Sequence, residues 1–110
     1  MLKKFLLLFS LFLSFFSSYS QSLISGKITD NSDIGIPYAD ILLLDEQGNW
    51  TNDRTSSDEN GNFIIKTSDI GRFKISIISI GFEKYESDLF SLTLNKEVDF
   101  GTINLEQESF

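Results

Sequence analysis

Thr55-Ser56-Ser57-Asp58-Glu59-Asn60-Gly61-Asn62-Phe63-Ile64-Ile65 is the stretch on which the reading of this chain turns. Asn60-Gly61 tolerates positive φ at a tight turn, and the polar run before it gives way at once to an apolar, β-rich run. The pattern predicts a hairpin. Side chains alternate along the strand that follows, so Phe63 and Ile65 share one face while Ile64 and Lys66 share the other.

Toward the C-terminus, Arg72 to Ile80 alternates cleanly, with Phe73, Ile75 and Ile77 facing inward and Lys74 and Ser76 outward. Gly81-Phe82 interrupts that pattern where a bend would let the chain change sheet or direction. Phe82 to Ser87 predicts a sixth strand, Leu89 to Leu94 has room for a short extra one, and Glu97 to Leu105 closes the fold. Gly101 shifts the register there, so that Val98, Phe100, Ile103 and Leu105 can serve one core.

Toward the N-terminus, Trp50 to Ser57 is polar enough for a ragged edge strand. Tyr38 to Asp45 is apolar on both faces and predicts a central strand, with Ala39, Ile41 and Leu43 toward the core. Asn31 to Pro37 is dense in turn formers and reverses the chain. Leu23 to Asp30 is the first strand, and Gly26 falls on its apolar face, where a large neighbour could lie across it. Helical spacing is missing from all of this. Short strands with turn signals about every ten residues predict an antiparallel, seven-stranded β-sandwich.

The first twenty residues do not belong to that domain. Met1-Leu2-Lys3-Lys4 is a basic head, and Phe5 to Phe16 is an apolar run shorter than the roughly 20 residues a membrane span needs. Ser18 and Ser20 stand where a signal peptidase reads small residues. Residues 1–20 are thus expected to be a signal peptide and 21–110 the exported domain, with no transmembrane segment after cleavage. Cleavage removes two lysines, taking the formal charge from −7 to −9 with sixteen acids and seven bases left. Such a surface repels phosphate backbones, which excludes nucleic acid as a partner. The chain contains no Cys, so no disulfide helps an exported domain of modest size and the hydrophobic core must hold it alone.

The order of features resembles a known family. Gly26-Lys27-Ile28-Thr29-Asp30, Gly35 to Ile41 with Ala39, Thr55 to Phe63 with Asp58 and Gly61, and Ile80-Gly81-Phe82 are similar, in order and spacing, to the carboxypeptidase regulatory-like domain. The resemblance spans Ile24 to about Leu105. It implies a transthyretin-like β-sandwich with Gly26, Ala39, Asp58, Gly61, Phe63, Gly81 and Phe82 as structural motif residues. It also implies export in a Gram-negative, Bacteroidetes-type bacterium, in the periplasm or associated with the outer membrane or cell surface. The implied partner is an envelope or outer-membrane protein, such as a TonB-dependent uptake assembly. Phe82 stands where the family more often has Tyr, which favours a structural role there.

Chemistry-bearing residues are few. With neither His nor Cys in the sequence, His-dependent triads, thiol nucleophiles and His- or Cys-ligated zinc are excluded. The expectation is a non-catalytic module without cofactor. Asp30, Asp33 and Asp58 lie on acidic loops and are candidates for calcium, although turns demand the same residue types for their own reasons. Trp50, Tyr38 and Tyr85 have polar neighbours. Trp50 is the candidate for a carbohydrate platform, and packing at the sandwich edge is the alternative reading of it. The leader assignment has a direct check: intact-mass measurement on protein recovered from the cell envelope is expected to show a chain that begins at Gln21.

Overall fold

The computed structural model describes residues 21–109; the predicted leader, residues 1–20, and Phe110 lie outside them. Among the described residues there is no helix. Eight strands follow one another: β1 Ser22–Thr29, β2 Asp40–Asp45, β3 Trp50–Ser56, β4 Asn62–Thr67, β5 Gly71–Ile78, β6 Tyr85–Glu86, β7 Phe90–Leu92 and β8 Glu97–Asn104. They form two sheets. One is β4-β1-β8; the other is β3-β2-β5-β6, with β7 also pairing β5.

The sheets face each other across a core of aliphatic side chains. Ile24 and Ile28 of β1, Ile41 and Leu43 of β2, and Ile75 and Ile77 of β5 are fully buried, with Phe63, Ile65, Phe73, Leu92, Ile103 and Leu105 beside them. Period-two alternation puts these residues on the inner faces, and burying each is worth about 1.5–3 kcal/mol. Ala39, Ile41 and Leu43 are all at 0% exposure, and β2 is central, flanked by β3 and β5, as its two-sided apolar content predicts. Gly26 is paired with Phe63, and a Cβ on Gly26 would lie 2.8 Å from that ring. The bare glycine therefore gives the phenyl group its seat.

The all-β sandwich stands, and several details differ from expectation. The strands number eight because Tyr85–Glu86 and Phe90–Leu92 are separate short segments on the β5 edge. One pairing is parallel: β8 runs alongside β1, with a register shift between Ser25 and Lys27 where Gly101 takes φ +66. That bulge keeps Ile103 and Leu105 buried beyond it and lets Val98 and Phe100 pack against the core before it. Ser76 does point away from the core, yet it is only 1% exposed and its Oγ has no hydrogen-bond partner. Leu42 and Glu86 sit opposite it on the two neighbouring strands.

The largest correction concerns the opening stretch. β3 and β4 are joined by a tight turn, but they do not pair with each other: β3 pairs β2 in one sheet and β4 pairs β1 in the other. The turn is a corner between sheets. Asp58 caps it, its Oδ1 accepting the amides of Asn60 and Asn62, each at 2.9 Å. Such a turn serves a hairpin and a corner equally well, and here the inner faces decide, since Phe63 and Ile65 reach the core only from the β1 side.

Gly61 and Gly101 make a controlled comparison. Both have positive φ, which costs a residue with Cβ about 1–2 kcal/mol. A Cβ on Gly101 meets nothing, whereas one on Gly61 overlaps the Ile28 carbonyl oxygen. Urea unfolding is expected to show Gly101→Ala losing about 1–2 kcal/mol and Gly61→Ala losing upward of about 3 kcal/mol, with the m-value unchanged for the former.

Candidate functional site

Every strand that runs the length of the sandwich leaves or enters at one of two ends, and the ends are built differently. The chain enters β1 at the end that carries the β2–β3 turn and the loop before β8. The opposite end is made of three loops, 30–39, 57–61 and 79–84, together with the segment 105–109. It is closely tied. Ile28 N donates to Gly61 O at 2.8 Å and Ile36 N to Ile28 O at 2.9 Å, so both loops are fastened to β1. Buried Ser57 accepts from Ala39 N at 2.9 Å and donates to Ile36 O at 2.7 Å. Glu83 N donates to Glu106 O at 2.7 Å and Glu108 N to Gly81 O at 3.0 Å, which lays the C-terminal segment against the third loop.

On this rigid base stand exposed apolar side chains. Tyr38 is 74% exposed and Ile80 entirely so, with Ile34 and Ile78 also in water. The β2–β5 register pairs Asp40 with Ile78, and two residues beyond this pair each chain continues to Tyr38 and Ile80 respectively. Tyr38 has φ +58, a region costly for an aromatic residue, and its amide is held by Ser57 O at 3.0 Å. Its ring is therefore displayed by a backbone that packing elsewhere fixes.

The charges are unevenly spread. The first loop brings Asp30 and Asp33, with Asp40 following at the start of β2, and the second brings Asp58 and Glu59. Glu83, Glu106 and Glu108 border the third loop, where Lys84 is the single base. This end thus holds eight of the sixteen acids and one of the seven bases in residues 21–109, a formal charge of −7, leaving −2 for the remainder. Lys84 is itself engaged, lying 3.1 Å from Glu86, whose other oxygen meets Lys74 at 3.0 Å. The Lys74 hydrogen bond, followed by that of Lys84, holds the Glu86 carboxyl below its ordinary value.

The candidate residues from the sequence are dispersed. Asp30 and Asp58 each use Oδ1 to close their own loops: Asp30 takes Ser32 N at 2.8 Å and Ile34 N at 3.0 Å, and Asp58 caps the corner already described. Asp33 is exposed with φ +61. Among the described residues, no group of three or more acidic side chains is gathered closely enough to hold a metal ion. Trp50 lies at the opposite end, at the start of edge strand β3, where its indole N–H donates to Asp53 O at 3.2 Å. Tyr85 packs against the core, and so does Phe82. Gly81 has φ +88, which turns the chain back from β5 toward β6 within the same sheet.

Several shallow concavities mark the surface of the described residues. A shallow groove of about 410 Å³ runs over the outer face of the three-stranded sheet, floored by Ser25, Gly26 and Lys27 and walled by Ile64 and Asp99. Sequence reasoning overlooked both this groove and the exposure of Ile80. Alternation gave Ile64 the outward face, and that was the available signal.

The architecture is a transthyretin-like β-sandwich of two facing sheets. The family model of the carboxypeptidase regulatory-like domain matches residues 23–106, and the chain belongs to that family. Among solved structures, a chain of a type II cohesin–X-dockerin complex from Acetivibrio cellulolyticus is similar, with TM-score 0.63 and 20% identity over 78% of this chain and 58% of that one. BcpA, the major pilin subunit of Bacillus cereus, is similar with TM-score 0.58 and 17% identity over 81% of this chain and 31% of that one. A 3-chlorocatechol 1,2-dioxygenase from Rhodococcus opacus shares the fold at TM-score 0.59 and 10% identity, over 83% of this chain and 61% of that one. The chain thus spans less than two thirds of these structures' own length. No curated protein sequence matches it.

Two buried serines are expected to respond in opposite ways. Ser57→Ala strands the buried Ala39 amide and is expected to cost about 1–3 kcal/mol, while Ser76→Ala removes an unpartnered hydroxyl and is expected to be neutral or stabilising. Paired chemical-denaturation curves would decide both.

Proposed function

We propose that the mature chain is an exported, non-catalytic interaction module that binds another protein of the cell envelope, at the periplasm or the outer-membrane surface. One observation carries this reading. The core is closed, yet Tyr38 and Ile80 stand in water on loops that the backbone holds in place. Exposed apolar side chains on a fastened loop end are a surface that a partner can cover.

Family membership supports the same conclusion, since a carboxypeptidase regulatory-like domain is named apart from the catalytic domain it accompanies. The fold is shared with a cohesin–X-dockerin complex and a pilin subunit, both of which assemble with other proteins, although it is shared with a dioxygenase as well. The absence of His and Cys from the sequence favours the assembling kind. A TonB-dependent uptake assembly is the envelope setting that the family resemblance suggests.

A second reading, a module for a carbohydrate or another small ligand, would use the groove over β1. Trp50, the aromatic platform such a site would want, is not among the groove's lining residues, so this reading comes second.

Crosslinking in intact cells followed by isolation of the mature protein from the envelope tests the proposal. A discrete complex with one envelope protein is the expected product. Recovery of the chain as a free periplasmic monomer under all crosslinking conditions would overturn it.

A further inference from the structure

We infer that the loop end bearing Tyr38 and Ile80 is the docking surface, and that its occupant is a basic polypeptide segment with an apolar anchor. This inference rests on the interaction-module reading and adds to it a site and a partner chemistry.

Two observations fix the occupant. The apolar one is the exposure of Tyr38 and Ile80 on loops of the same end, with Ile78 exposed at the end of β5. A hydrophobic side chain packed on either would lose its contact with water at little conformational cost, since the loops are already fastened. The second is charge. Tyr38 N bonds to Ser57 O, next to Asp58, and Glu108 N bonds to Gly81 O, next to Ile80, so acids border the patch on both sides. The end as a whole has a formal charge of −7. A lysine- or arginine-bearing segment is steered toward such a surface, and an acidic one is repelled.

Turn-making accounts for Asp33, which takes φ +61, but not for the other acids of this end that lack a partner. Among the described residues, the side chains of Asp33, Asp40, Glu59, Glu83, Glu106 and Glu108 make no hydrogen bond or ion pair. Glutamate is also not a residue that tight turns select. Like charges gathered without partners cost the fold some self-repulsion, which a basic ligand would relieve.

Sugar and cation are disfavoured as occupants. Tyr38 is the one exposed aromatic at this end, and no group of three or more acidic side chains is gathered for a metal ion among the described residues.

The test is a titration of nitrogen-labelled mature protein, followed by amide NMR, with four probes: a short Lys/Leu peptide, the matching Lys/Ser and Glu/Leu peptides, and calcium chloride. The Lys/Leu peptide is expected to shift amides at Tyr38, Ile80, Gly81 and the 57–61 loop. Its affinity should fall with added salt, and by about tenfold in the double variant Tyr38→Asn, Ile80→Ser. Asn tolerates positive φ, and both positions are exposed, so the variant is expected to fold; an unchanged spectrum elsewhere would verify this. The Lys/Ser peptide should bind more weakly and the Glu/Leu peptide not at all. Equal binding of the Glu/Leu peptide, shifts that map to the groove over β1, the same shifts with calcium alone, or unchanged affinity in the variant would each overturn the inference. The two readings fail separately. If the variant keeps its envelope partner in the crosslinking experiment, this site is wrong and the module stands; if wild type has no partner either, the module reading itself fails.

Discussion

The corner at Gly61 is the constraint on which the remaining structure depends. There the chain leaves one sheet and enters the other, and three backbone segments meet with no room for a side chain. Gly35 lies against the Asn60 carbonyl, Gly61 lies against the Ile28 carbonyl, and Ile28 exchanges hydrogen bonds with both loops. A sandwich needs its two sheets set at one spacing and one angle, and interdigitated side chains alone permit some sliding. The corner removes that freedom because backbone contacts do not yield as side chains do. Thr67 adds a second tie along the same edge, donating to Asp53 Oδ2 at 2.7 Å between β4 and β3. On the far side, Phe90 and Phe100 meet edge to face at 5.3 Å and close the sandwich there.

Much of this was legible in the sequence, for a physical reason. Inner faces are read by alternation, and alternation survives any topology: Ile24 with Ile28, Ala39 with Ile41 and Leu43, and Phe73 with Ile75 and Ile77 all lie where spacing puts them. Gly26 was legible too, since a glycine on an apolar face calls for a large neighbour, and Phe63 is that neighbour. What alternation does not encode is the partner of a strand. The turn at Asn60-Gly61 reads as a hairpin because its capping uses only local atoms, the same Asp58 oxygen and the same two amides in either topology. The parallel pairing of β8 with β1 was hidden likewise, because the two strands lie about seventy residues apart and nothing local in either reports direction.

The candidate site was less legible than the fold. Tyr38 has polar neighbours in the sequence, but its outward pose comes with a positive φ. That is not a property of composition. The acids were counted correctly, and their segregation to one end was invisible until the strand directions were known. Trp50 shows the converse. It is the residue type that most suggests a ligand platform, yet its indole N–H is spent on Asp53 O at a strand edge.

The carboxylates at the loop end have two separable kinds of work. Asp30 and Asp58 hold turns through a single Oδ1, and Asp45 does the same at the opposite end, accepting Gln47 N at 3.0 Å and Asn49 N at 2.8 Å. An asparagine offers the same oxygen without the charge, so the turns fix only the presence of an Asx side chain. The negative charge is then a property beyond what folding requires, and the unbonded glutamates at this end are charge without even a turn to close. A domain held together by aliphatic burial and one backbone corner has no structural need to gather half its acids around exposed apolar residues. That the core is complete without them is the physical reason this end is free to be shaped by a partner.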